Sequence, residues 1–310
     1  MKSKLTAVLF IVLMSAGAHA QLPDSAGEFQ RRGAERFARG DFEGAIDDFT
    51  AVIELSTSLT KGKGGRVKLS AAPTEADDAF GRARVLSPEA ANAYLNRGVA
   101  RLAKGDPDGA INDFDQAVFI SPNNVWGYYD RGTAWLVKGE TKRALADYDK
   151  ALRLDPRFAT GYAGRGNVRL DMGDVAGAFA DYERALGLAP RDARIYNDRG
   201  DARRQTGDSA GARADYEQAM RLDPRYSDAY CGRGMLKIAE GDAAGAVADF
   251  TKALSLNGAL ALAYANRGLA LLIQGKDEAA EGDFRRALEL APALGTKIEA
   301  KVESIKQQRR

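Results

Sequence analysis

The sequence predicts an all-α chain, an α-solenoid built from stacked helix–turn–helix units. Three observations predict it. First, the pair Arg97-Gly98 returns as Arg131-Gly132, Arg165-Gly166, Arg199-Gly200, Arg233-Gly234 and Arg267-Gly268, at an interval of 34 residues each time. A fixed period in the 20–50 residue range marks an array whose units bury their apolar faces only against their neighbours. Second, small and aromatic columns keep step with that pair: Ala110, Ala144, Ala178, Ala212, Ala246 and Ala280, then Phe114, Tyr148, Tyr182, Tyr216, Phe250 and Phe284. Third, the helix breakers keep the same step. Gly105, Gly139, Gly173, Gly207, Gly241 and Gly275 divide these six units in two, and five of the six close on Pro, with Gly258 in its place in the fifth.

Each element follows from local chemistry. A Tyr (Tyr94, Tyr128, Tyr162, Tyr196, Tyr230, Tyr264) opens the first helix of each unit. The dividing Gly can take the left-handed conformation that ends that helix, and the Asp that usually follows can cap the next. In the second helix Ala144, Tyr148, Ala151 and Leu152 fall at i, i+4, i+7 and i+8, on one face. The closing Pro stops that helix by disfavouring helix in the residue before it. Gly98 and Ala110 are small, which predicts two backbones passing closely there, where bulk would overpack the contact.

This pattern of an aromatic, Gly, Ala, an aromatic, Ala and Pro over 34 residues resembles the tetratricopeptide repeat family. The resemblance covers nearly all of the chain after the leader and implies a right-handed superhelix. On that frame the regular units are residues 25–56, 91–124, 125–158, 159–192, 193–226, 227–260 and 261–294. A degenerate unit, 57–90, carries a basic, Gly-rich loop at 60–73 containing Lys61, Lys63, Arg66 and Lys68, and residues 295–310 form a capping helix. Ile298, Val302 and Ile305 give that last helix a narrow apolar stripe, as a terminal cap requires. Two departures stand out. Arg precedes the Gly where the family has Leu, and three residues after it Arg101, Arg169, Arg203 or Lys237 replaces the family's Tyr.

Residues 1–20 read as a signal peptide: Lys2 and Lys4, the apolar run Leu5–Met14, and the small-x-small site Ala18-His19-Ala20. The apolar run is half of the roughly 20 residues a spanning helix needs. The expectation is cleavage near Ala20-Gln21, export to the periplasm or beyond, and no integral membrane segment afterwards. Without Lys2 and Lys4 the chain has 43 basic and 43 acidic residues, a balance that gives no support to nucleic-acid binding. Cys231 is the only Cys, so no internal disulfide forms.

The only His is His19, in the leader. Beyond the leader there is therefore no imidazole for a triad, a general base or a zinc site, and no phosphate-cradling GxxxxGK[ST] loop. The expectation is a non-enzymatic protein with no cofactor. Asp48, Asp113, Asp147, Asp181, Asp215, Asp249 and Asp283 recur once per unit, each matched by an Arg before the Gly. A catalytic pair occurs once, so seven copies predict structural Arg–Asp bridges, for which the forked guanidinium is suited.

The resemblance implies that the first helices line a concave groove that binds extended peptides or partner helices. It places Asn92, Leu95, Val99, Trp126, Tyr129, Thr133, Thr160, Asn167, Arg194, Asn197, Asp201, Arg204 and Asp228 there. Trp126 and Tyr129 would form an aromatic anchor, with Asn167, Asn197 and Arg204 as polar contacts. The Lys/Asn set with which some family members clamp a C-terminal carboxylate is not reproduced. The resulting expectation is a scaffold for a protein or peptide in the bacterial envelope. The alternatives are a self-associating structural component and a carrier of a glycan or lipid.

Overall fold

The computed structural model describes residues 24–62 and 88–309. Fifteen α-helices and one 3-10 turn, Pro292–Leu294, account for the regular structure there, and there is no strand among the described residues. The chain divides into two compact units, residues 1–172 and 173–310. The first holds α1 (Asp24–Ala38), α2 (Phe42–Gly62), α3 (Pro88–Lys104), α4 (Pro107–Ile120), α5 (Val125–Val137), α6 (Thr141–Leu154) and α7 (Ala159–Asp171). The second holds α8 (Val175–Leu188), α9 (Ala193–Gln205), α10 (Ser209–Leu222), α11 (Ser227–Ala239), α12 (Ala243–Leu256), α13 (Ala261–Ile273), α14 (Asp277–Leu290) and α15 (Gly295–Gln308).

The punctuation works as its chemistry predicts. Gly207, at φ 88°, ends α9, and the Asp208 N–H donates back to the Arg203 carbonyl at 2.8 Å, closing the last turn. Asp208 then caps α10, its Oδ1 accepting from the Gly211 N–H at 2.9 Å. Asp106, Asp174 and Asp242 do the same for α4, α8 and α12. Glu140 and Lys276 occupy the equivalent position without a side-chain cap.

The repeated alanines Ala110, Ala144, Ala212 and Ala246 are fully buried, and so are the rings of Phe114, Tyr216 and Phe250. These rings explain the small residue before them. A Cβ on Gly98 would stand 2.6 Å from the Phe114 ring, and at the equivalent Gly132 and Gly268 the backbone carbonyls of Ala144 and Ala280 also lie 3.3 and 3.2 Å from such a Cβ, so ring and facing backbone together require the small residue.

The Arg–Asp bridges are present and bidentate. Arg199 donates to Asp215 at 3.0 and 2.7 Å, and Arg97, Arg131, Arg233 and Arg267 hold Asp113, Asp147, Asp249 and Asp283 in the same fork. The two departures from the family pattern turn out to be coupled. Arg101, Arg203 and Lys237, three residues after the Gly, each bring a second cation to the same buried Asp, at 2.9, 2.8 and 2.9 Å. The third guanidinium arm often crosses to the preceding repeat: Arg131 on α5 reaches Asp115 on α4 at 2.7 Å, as well as Asp147 on α6.

That same arm also joins α3 to α2. Arg97 on α3 donates to Thr50 on α2 at 3.1 Å, the contact Arg131 makes with Asp115, although 47 residues separate the pair instead of 16. Phe49 and Ala45 on α2 pack against Ala100 on α3, and Val52 and Ile53 pack against Ala93. The helix α2 therefore packs directly against α3. The helix α2 also continues through Gly62, into the stretch expected to begin the loop at 60–73. The rest of that loop, and the helix expected around Ala76 and Phe80, lie outside the described residues.

At the other end α15 lays Ile298, Val302 and Ile305 over Leu272, Phe284 and Leu288, as a cap should. Arg309 fastens its end, donating to Asp277 at 2.7 Å.

Candidate partner-binding site

The first-helix residues differ in what they offer, and the two units are taken separately. In the first, Asn92 on α3 is exposed and Asn167 on α7 is partly buried. Trp126 begins α5, whose N-terminus is capped by Asn124. Its ring packs edge-on to Phe158, 4.8 Å between centroids, and to Tyr129, at 5.7 Å. Tyr129 in turn contacts Phe158 and Tyr148, both at 5.4 Å. The expected two-residue anchor is thus a four-ring cluster, and most of it is core. Tyr129 is only 5% exposed and Thr133 6%, with the Thr133 hydroxyl bonded to Tyr148 Oη at 3.0 Å. These two, with Leu95 at 8%, are packing residues and not open groove contacts. Trp126 keeps an exposed edge on a cleft of about 580 Å³, lined also by Pro122, Asn123, Val125, Asp155 and Phe158.

One further acid in α5 is notable. Asp130 sits where burial alone pushes its carboxyl from 3.8 up to about 7, with no ion-pair partner among the described residues.

In the second unit the predicted residues do come together, as a polar network and not as free side chains. Arg194 folds back on Asp192 at 2.6 Å. The Tyr216 hydroxyl donates to Asp201 Oδ1 at 2.8 Å, and the Arg204 guanidinium lies 3.3 Å from both that hydroxyl and Asp201. Asn197, one turn before Asp201, is only 4% exposed, so it too departs from the open-groove expectation. Its Oδ1 is buried and accepts no hydrogen bond. The hydroxyl of Tyr226, which packs with Ala193 and Ala229, is likewise buried without a partner.

Negative charge dominates this face. Burial and Asp201 push the Asp228 carboxyl up, and burial with Asp198, Asp228 and Asp201 pushes the Tyr226 hydroxyl up. The Cys231 thiol is pushed up to about 12 by burial and by Asp228, Asp201 and Asp249, which disfavours its thiolate at neutral pH. The face offers hydrogen-bonding groups and charge, which is binding chemistry.

Tyr216 and Tyr226 were not among the residues expected at the site. Tyr216 reads as a core aromatic, and its ring is one; only its hydroxyl reaches the face. Tyr226 shares a 34-residue column with Asn124, Phe158, Asp192 and Leu260, and that column's switch between capping and bulky residues is the signal that marks it. The basic set at residues 61–68 has no counterpart here: Lys63, Arg66 and Lys68 lie outside the described residues, as does the Lys61 side chain.

Comparison with known proteins agrees with this architecture. A tetratricopeptide repeat family model matches residues 73–125, 163–227, 197–255 and 231–294, and a second repeat model matches residues 137–173. A tetratricopeptide repeat protein from Parabacteroides merdae superposes with a TM-score of 0.63 at 19% identity, covering 92% of this chain and all of its own. Yeast Tom70 gives 0.64 at 18% identity over 95% of this chain and 67% of its own. The Cut9–Hcn1 structure of the APC/C gives 0.62 at 16%, over 89% and 55%. At these identities the structures are alike in fold alone. No curated protein sequence matches significantly. Because the family models together span more than half of the chain and the helix pairs carry the repeat's own packing columns, the chain belongs to the tetratricopeptide repeat family.

Proposed function

We propose that this protein is a non-enzymatic scaffold that binds a segment of a protein partner along its first-helix face after export to the bacterial envelope. The tetratricopeptide fold supports a protein–protein interaction scaffold in general. The observation that carries the finer reading is the pair of buried, unpartnered polar atoms on the α9–α11 face, Asn197 Oδ1 and the Tyr226 hydroxyl. A buried polar group without a hydrogen bond costs about 1–3 kcal/mol, a cost that bound ligand groups remove. Within the first unit, taken by itself, the half-buried Trp126 offers an aromatic contact. The export reading is supported by the basic, apolar and small-residue segments of residues 1–20, which lie outside the described residues. No described helix is long and apolar enough to cross a membrane.

The test is site-specific photocrosslinking in the exporting cell. A crosslinker at Arg204, on the first-helix face, should give a discrete adduct, whereas one at Arg221, exposed on the second helix α10, should not. Equal labelling from both positions, or adducts from Arg221 alone, would refute the groove.

A further inference from the structure

The charge on the α9–α11 face goes further than the presence of a groove and specifies what enters it. Two guanidinium groups, Arg194 and Arg204, stand with the carboxylates of Asp192, Asp201 and Asp228. Both guanidinium groups are already spent, Arg194 on Asp192 and Arg204 on Asp201 and Tyr216. Burial and the nearby charge of Asp201 push the Asp228 carboxyl up. Among these acids are the two orphaned groups. Asn197 Oδ1 can only accept a hydrogen bond, and the Tyr226 hydroxyl can accept one. Asn197 Oδ1 thus calls for a donor, the Tyr226 hydroxyl takes a donor or an acceptor, and the Asp228 carboxylate calls for a cation.

We propose that the α9–α11 face is a subsite for a cationic side chain, arginine or lysine, carried by an extended segment of the partner. This rests on the partner-binding reading above and names the chemistry of what binds. An ammonium or guanidinium group would donate to Asn197 Oδ1 and Tyr226 Oη while neutralising Asp228. A neutral segment would fill the hydrogen bonds and leave the repulsion between Asp201 and Asp228. An anionic one would increase it.

The probes are three fluorescein-labelled eleven-residue Gly/Ser peptides with Arg, Ser or Glu at three alternate positions, titrated by anisotropy into the chain from Gln21 to Arg310. The Arg peptide should bind at least about tenfold more tightly than the other two, and raising salt from 0.1 to 0.5 M should weaken it. Asp228→Asn should reduce Arg-peptide affinity about fivefold or more. Glu281→Gln, which removes the same charge from an exposed site on α14, should leave it unchanged. Asn197→Ala should weaken the Arg peptide while leaving the melting temperature equal or higher, because the amide oxygen it removes makes no hydrogen bond in the free protein. If the Ser or Glu peptide binds as well as the Arg peptide, the groove stands and the cationic specificity falls. If none binds while Arg204 still crosslinks a partner, the specificity alone is refuted. If none binds and no Arg204 adduct forms, both readings are refuted. Equal losses from Asp228→Asn and Glu281→Gln would mean general electrostatics and would also overturn the subsite.

Discussion

The Arg–Asp bridges come in two grades, and the structure predicts how differently they respond to the same substitution. Asp215 is 4% exposed and holds two cations, Arg199 by a fork and Arg203 at 2.8 Å. Asp147 is 10% exposed and holds Arg131 alone among the described residues, because Trp135 stands where Arg203 stands in the other repeat. Removing Arg131 therefore strands a buried carboxylate. Breaking a buried pair in this way costs about 3–5 kcal/mol, and water reaching the partly exposed site argues for about 3. Removing Arg199 costs the hydrogen bonds but leaves Arg203 in place to neutralise Asp215, so about 1–2 kcal/mol is expected. Arg131→Leu also loses the Asp115 contact, which is half exposed and worth well under about 1 kcal/mol. The assay is urea unfolding followed by circular dichroism, with hydrogen exchange on α5–α6 and α9–α10 to locate the loss, since repeat arrays need not unfold in one step. Arg131→Leu should destabilise by about 1–2 kcal/mol more than Arg199→Leu, the difference between those two costs. The double variant Arg131→Leu/Asp147→Leu should recover much of the single loss, because a hydrophobic pair of similar volume can replace a buried ion pair. Equal single losses, or a double variant additive to within about 0.5 kcal/mol, would refute the compensation argument.

Three further outcomes are expected. The Asp130 carboxyl is raised in the folded state, from 3.8 to about 7, so the folded chain binds the extra proton between those values. Its contribution to stability is then greatest in acid and is lost as pH rises through that window. Asp130→Asn should flatten the pH dependence of melting between pH 4 and 7, and an unchanged slope would contradict the burial. Deleting residues 295–310 should expose Leu272, Phe284 and Leu288, loosen α13–α14 in hydrogen exchange and promote association in light scattering; a monomer of unchanged stability would show that α15 is no cap. Exported protein should have the intact mass of a chain beginning at Gln21, and the full-length mass would contradict leader removal.

Much of this molecule was legible before any coordinates. The 34-residue step, the turn Gly, the Asp cap and the small and aromatic columns were readable because each acts within a few residues along the chain. Gly207 is needed for its own φ, and Asp208 caps the helix that begins at the next residue. The Arg–Asp bridge was readable for a different reason: a pair kept at one spacing through the repeats has to be structural. What tertiary structure alone decided depends on neighbours distant in sequence. Tyr129 and Phe158 are 29 residues apart, and only their contact turns an expected anchor into core. That α2 packs against α3 was not readable either, because the Arg97–Thr50 contact joins residues 47 apart. The site was half legible. The family resemblance implied Asn197, Asp201, Arg204 and Asp228, since it says which helices line the groove. Which of their atoms are satisfied was set by packing, and packing left Asn197 Oδ1 and the Tyr226 hydroxyl buried without partners.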